Sequence, residues 1–202
     1  MRSMWWIFTI LLGLALSRVV ISLATISRLR LQRQLPKVYV PVVLWEIFLV
    51  LFAAEVWLSA VEYKLRLGSI SVPILGALTV IPIGIFILVE FLNYDDDFKE
   101  PNSAGTPTLI PQVEQFGRVR KAFFIALASV SVFTIAAILM VNPQMLNADL
   151  ILPALVTIGA LAGYLLPSKR AQTVIASSLI STVIVFIVLE YELLGQLPIL
   201  SA

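Results

Sequence analysis

The sequence contains no cysteine and no histidine. Without cysteine there is no disulfide, no thiolate nucleophile and no Cys-ligated metal. Without histidine the commonest general base and the commonest metal ligand are missing. Composition therefore excludes intramembrane serine proteases of the Ser–His kind, HExxH zinc proteases, His-dependent phosphatases and haem proteins with a His ligand. Charge is scarce as well. Only 13% of the 202 residues are Asp, Glu, Lys or Arg, about half the share of an ordinary soluble domain. An enzyme built from this chain would rely on Glu, Asp, Ser, Tyr or Lys, and no converging set of these is visible. No catalytic residue, cofactor or metal site is expected.

What the chain has instead is apolar length. Hydrophobic residues make up 60% of it, segregated into six runs near 4–26, 39–61, 70–92, 121–141, 148–166 and 171–192. Each matches the ~20 residues that cross ~30 Å of hydrocarbon as a helix. The expected fold is an all-α polytopic membrane helix bundle of six spans, a single transmembrane domain over 1–202. Pro41, Pro73, Pro153 and Pro167 fall near span ends, whereas Pro82 lies inside the third span and should kink it. Lys and Arg set the direction. Ten lie in the first, third and fifth loops, from Arg28 to Arg170, and three on the other side (Arg2, Lys64 and Arg66). Both termini are thus expected on the non-cytoplasmic side. Reading residues 1–17 as a cleaved signal peptide would invert every later span and place the ten charges on the wrong face.

The one long loop, 93–120, holds Asp95, Asp96 and Asp97 and then a stretch rich in Pro, Gly, Ser and Thr with no helical or strand period. It reads as a flexible cytoplasmic linker. A lone Asp run lacks the second Asp motif that a Mg²⁺-diphosphate site would need. The following QVEQFGRVRKAFF reads as an amphipathic lead-in at the membrane surface.

Ionisable residues inside the spans carry the functional signal. The second span holds Glu46 and Glu55. Two carboxylates cost roughly 5–7 kcal/mol on insertion scales, against about 4–8 kcal/mol favourable from that span's Leu, Ile, Val and Phe. Insertion is marginal unless the bundle offsets the charge. Arg18 and Glu46 both fall about 5 Å to the cytoplasmic side of the midplane by the helical rise. Since short-looped neighbours usually pack together, an Arg18–Glu46 ion pair is expected. The alternative leaves Arg18 snorkelling to the headgroups and Glu46 in a local polar pocket. Nine residues at about 100° each put Glu55 on the opposite face from Glu46, so the second helix should be interior on both sides. Glu55, Ser59, Glu62 and Arg66 share one stripe that could line an outward-opening polar pathway; the plainer reading is a helix–helix contact. Glu90 and Glu190, near span ends, read as headgroup anchors.

Small residues four apart suggest close helix packing: Gly13 with Ser17, Gly159 with Gly163, and Ser177 with Ser181. A lipid-facing patch of them would suggest oligomers. IFILVEF (85–91) echoes VFIVLEY (185–191), which raises an inverted three-helix repeat.

LGLALSR before a basic turn, LW opening the second span, AAEVW near its end and an acidic run after the third span resemble small bacterial inner-membrane proteins of unassigned function. The resemblance implies several helices in a bacterial plasma membrane and brings no activity. The expected function is a small channel or transporter for an ion, proton or small solute, with intramembrane carboxylates on its path. The alternative is a non-catalytic membrane subunit or scaffold. Expected partners are the lipid bilayer and a second copy or another membrane protein, with no nucleic acid.

Overall fold

The computed structural model describes residues 2–31, 39–67, 72–92, 99–101, 107–109, 112–141 and 148–195. Among the described residues the fold is all-helical apart from one small ladder. Its six helices are α1 (Arg2–Leu31), α2 (Val40–Leu67), α3 (Val72–Leu92), α4 (Gln112–Val141), α5 (Ala148–Leu165) and α6 (Lys169–Gly195). Three of them contain stretches long and apolar enough to cross a membrane: Val40–Val61, Val113–Met140 and Lys169–Glu192. Shorter apolar helical stretches run over Thr9–Thr25, Thr79–Leu92 and Leu150–Leu165.

Pro41 and Pro73 are each the second residue of their helix, where a missing N–H costs nothing because the first-turn donors have no intrahelical partner. Pro82 and Pro153 lie inside α3 and α5. The turn from α5 to α6 is short, and Ser168 caps α6: its hydroxyl accepts from Ala171 N–H at 3.2 Å.

The lead-in expected at the membrane surface continues into the span as one helix, α4. Within the loop read as unstructured, Lys99–Pro101 pairs antiparallel with Pro107–Leu109, Lys99 opposite Leu109. No alternation of apolar and polar residues announces these three-residue strands. The Asp95–Asp97 run lies outside the described residues.

Burial patterns decide where each helix sits. On α6 the buried residues Gln172, Ala176, Leu179 and Val183 form one stripe at spacings of four, three and four, as expected of a peripheral helix with one covered face. On α1 the stripe is Leu12, Ala15, Val19 and Ser22. α2 differs: Val42, Trp45, Glu46, Phe48, Leu49, Phe52, Ala53, Glu55, Val56 and Ala60 are buried around much of its circumference. It is the interior helix, and the two glutamates on its opposite faces are both covered.

The most extensive helix pairs are α4 with α5, α3 with α4, α2 with α6 and α1 with α3. Side-chain contacts fix helix direction. Ser22, late in α1, meets Glu46, early in α2. Arg120, early in α4, meets Gly163, late in α5. Trp45 and Ser59 of α2 meet Gln172 and Glu190 of α6, so these two helices run parallel. Gly84 of α3 lies against Val130 of α4, and Leu92 and Phe116 line one small cavity of about 10 Å³. Consecutive helices therefore alternate in direction. The inverted repeat is not reproduced in the packing: among the described residues, α1 packs broadly on α3, with no comparable contact between α4 and α6.

Candidate functional site

Two polar clusters tie α2 to its neighbours, and a third closes one end of the bundle. At the first, the Ser22 hydroxyl donates to Glu46 Oε1 at 2.6 Å. Glu46 is 1% exposed, and its second oxygen, Oε2, is buried without a hydrogen-bond partner. The ion pair expected here forms elsewhere: Arg18 Nε lies 3.0 Å from Glu90 Oε1 on α3. Packing explains the difference. α1 lies mainly along α3 and only lightly on α2, so close packing of the first two helices cannot be assumed from their order in the chain. Arg18 sits at the edge of the buried stripe of α1 and is half-exposed, free to turn towards α3, while Ser22 one turn on takes the place facing Glu46.

The second cluster is built on Ser59. Its hydroxyl lies 3.1 Å from Glu55 Oε1, one turn earlier on the same helix, and also reaches Glu190 Oε1 on α6. Glu55 is 8% exposed and Glu190 half-buried. Two carboxylates from two helices therefore meet at one hydroxyl, near the ends of two stretches long enough to span a bilayer. Of the expected stripe, Glu55 and Ser59 are joined here. Glu62 and Arg66 belong to the last turns of α2, but their side chains lie outside the described residues. Sequence reading missed Glu190 as the third member. The available signal was that any acid in a span asks for a partner; its position near a span end hid it.

The third cluster sits where α4 begins and α5 ends. Arg120 Nη1 donates to the carbonyl oxygens of Gly163 (2.8 Å) and Tyr164 (2.9 Å). Gln172 Nε2 donates to Gly163 O (2.8 Å) and Leu166 O (2.7 Å), and Gln172 Oε1 accepts from Trp45 Nε1–H at 3.2 Å. The last carbonyls of a helix have no intrahelical donor, and here Arg120 and Gln172 supply it. Trp45 stands edge-on to Phe48, Phe123 and Phe124, with centroids 5.1–5.6 Å away. This is a structural knot. Its members were not singled out in the sequence, because a Gln or an Arg near a span end has many ordinary uses.

The small residues divide into two groups. Gly159 lies against Leu179 of α6 and Gly163 against Phe124 of α4; a Cβ at Gly163 would come within 2.4 Å of that ring. Gly13 has nothing within 4 Å of its Cβ position, and Ser17, Ser177 and Ser181 are exposed on the outer faces of α1 and α6. Ser17 and Ser181 bond only to carbonyls of their own helices.

Among the described residues no group of three or more acidic side chains is placed to hold a metal ion. The chain matches no known protein family, no curated protein and no solved structure.

Proposed function

We infer that the chain is a small integral membrane transporter or channel for an ion, proton or small solute. The Glu55–Ser59–Glu190 cluster is its intramembrane binding site, and a proton or small cation is the species that best fits it. The observation that carries this reading is the convergence of two carboxylates on one hydroxyl between α2 and α6. A serine hydroxyl has one hydrogen and can serve one carboxylate at a time. A proton or small cation held near the two carboxylates offsets their mutual repulsion, and its departure leaves like charges to repel.

Six crossings with both termini outside, in a bacterial plasma membrane, form part of the same proposal. The alternating helix directions support it, since they gather the ends of α3 and α5 and the starts of α2, α4 and α6 at one end of the bundle. The Lys- and Arg-rich loops join helices at that end.

The test is flux in proteoliposomes with a trapped pH-sensitive dye and an imposed gradient. Wild-type protein should dissipate the gradient, and Glu55→Gln and Glu190→Gln should each reduce the rate at least tenfold. Wild-type rates in both variants would refute the site. A second reading, a non-catalytic membrane subunit, is favoured by one observation: Gly13, Ser17, Ser177 and Ser181 face outwards, as helix-docking residues would.

A further inference from the structure

An open apolar groove runs along the outside of the bundle between α4 and α5, with a volume of about 560 Å³. Its α4 wall extends from Phe124 to Ala136, and Ala160, Leu161 and Tyr164 form the α5 wall. At the helical rise the α4 wall is about 18 Å long, close to the ~15 Å depth of one leaflet. Small side chains make the floor: Ala160 is fully buried and Ala128 half-buried, while Ile125, Val132, Phe133 and Leu161 stand exposed along the rims. No other part of the described chain fills it.

The groove has one charged end. Lys121 is exposed and lies on the same stripe of α4 as Ile125, Ala128 and Val132, one turn beyond the apolar wall. Arg118 continues that stripe, paired with Glu114 at 3.0 Å. Lys169 and Arg170, both exposed, open α6 directly after α5 ends. Arg120 binds the last carbonyls of α5 and so brings the start of α4 beside this same corner. Among the described residues, the acid nearest in sequence to this group on α4, Glu114, is already engaged with Arg118. A leaflet-deep apolar channel that ends in cations matches one kind of molecule, with an acyl chain at one end and an anionic headgroup at the other.

We propose that the α4–α5 groove is a binding site for an anionic phospholipid, with one acyl chain between Ile125, Ala128, Val132 and Leu161 and the phosphate at Lys121, Lys169 and Arg170. A transmembrane helix of another protein would fill the apolar part but leave these cations without a counter-charge. The occupant is therefore a lipid of one charge class, held in the leaflet at the basic end of the bundle.

The full chain, purified in detergent, is titrated with dioleoyl phosphatidylglycerol or dioleoyl phosphatidylcholine and read by native mass spectrometry. One retained phosphatidylglycerol is expected, preferred at least tenfold over phosphatidylcholine. The double variant Lys121→Gln/Arg170→Gln should lose that preference about tenfold or more. Ala128→Phe, which fills the groove without touching the charges, should lower retention of the adduct while the protein keeps its wild-type melting temperature. Equal retention of the two lipids, or an unchanged preference in the charge variant, would overturn the proposal. So would a groove variant that changes oligomeric state and leaves lipid retention intact, since the occupant would then be protein.

Discussion

Replacing Gln172 with leucine tests the knot that closes the basic end of the bundle. The two side chains are similar in size, so the substitution removes hydrogen bonds with little change in volume. Three bonds disappear, but they are not equal. Gly163 O retains its bond from Arg120. Leu166 lies in an exposed turn, where its carbonyl can find water. Trp45 Nε1–H is stranded, because Trp45 is fully buried among Phe48, Phe123 and Phe124. An unsatisfied buried donor costs about 1–3 kcal/mol, and each lost but replaceable bond about 0.5–1.5 kcal/mol. The expected loss is about 2–6 kcal/mol. That exceeds the ~0.6 kcal/mol average for interhelical hydrogen bonds in membranes, since an aromatic cage offers the indole no second acceptor. Reversible unfolding in mixed micelles, followed by tryptophan fluorescence, would measure it. Trp45→Phe added to Gln172→Leu should cost less than the sum of the two single changes. A loss below about 0.5 kcal/mol for Gln172→Leu would show that the indole N–H is not confined as described.

The glycines give a paired contrast in the same unfolding assay. Gly163→Ala should destabilise by about 1–3 kcal/mol because its methyl would press into the caged Phe124 ring, whereas Gly13→Ala should be neutral or stabilising by about 0.5–1 kcal/mol. A double-mutant cycle should find coupling between Arg18 and Glu90 and none between Arg18 and Glu46. Coupling to Glu46 instead would reverse the assignment of the ion pair.

The apolar runs located all six helices, although α4 begins about nine residues before its run and α1 and α2 extend about five residues past theirs, and the opposed azimuths of Glu46 and Glu55 were enough to place α2 inside. Which helices would touch was not legible. Hydrophobic length says that a segment is apolar enough to cross a bilayer, but it does not say which helix faces which, so partner choice rests on side-chain fit. Gly84 against Val130 and Gly163 against Phe124 are such fits. The Arg18–Glu46 expectation failed at this step, since it borrowed proximity from chain order while α1 settled on α3. Glu55 and Ser59 were legible as one site because four residues make a turn. Glu190 was not, because 131 residues separate it from Ser59 and only the parallel packing of α2 and α6 brings them together. The short ladder at Lys99–Pro101 left no trace in the sequence, being too brief for a period to show.

Because α2 and α6 point the same way and pack broadly on one another, two polar contacts pin them at separate levels. The Trp45–Gln172 bond sits in an aromatic cage at one level. The Ser59–Glu190 contact lies about 21 Å further along α2 and about 27 Å further along α6. A rotation of about 10° about the first contact would part the second by about 4 Å over that distance. That is enough to break the hydroxyl bridge.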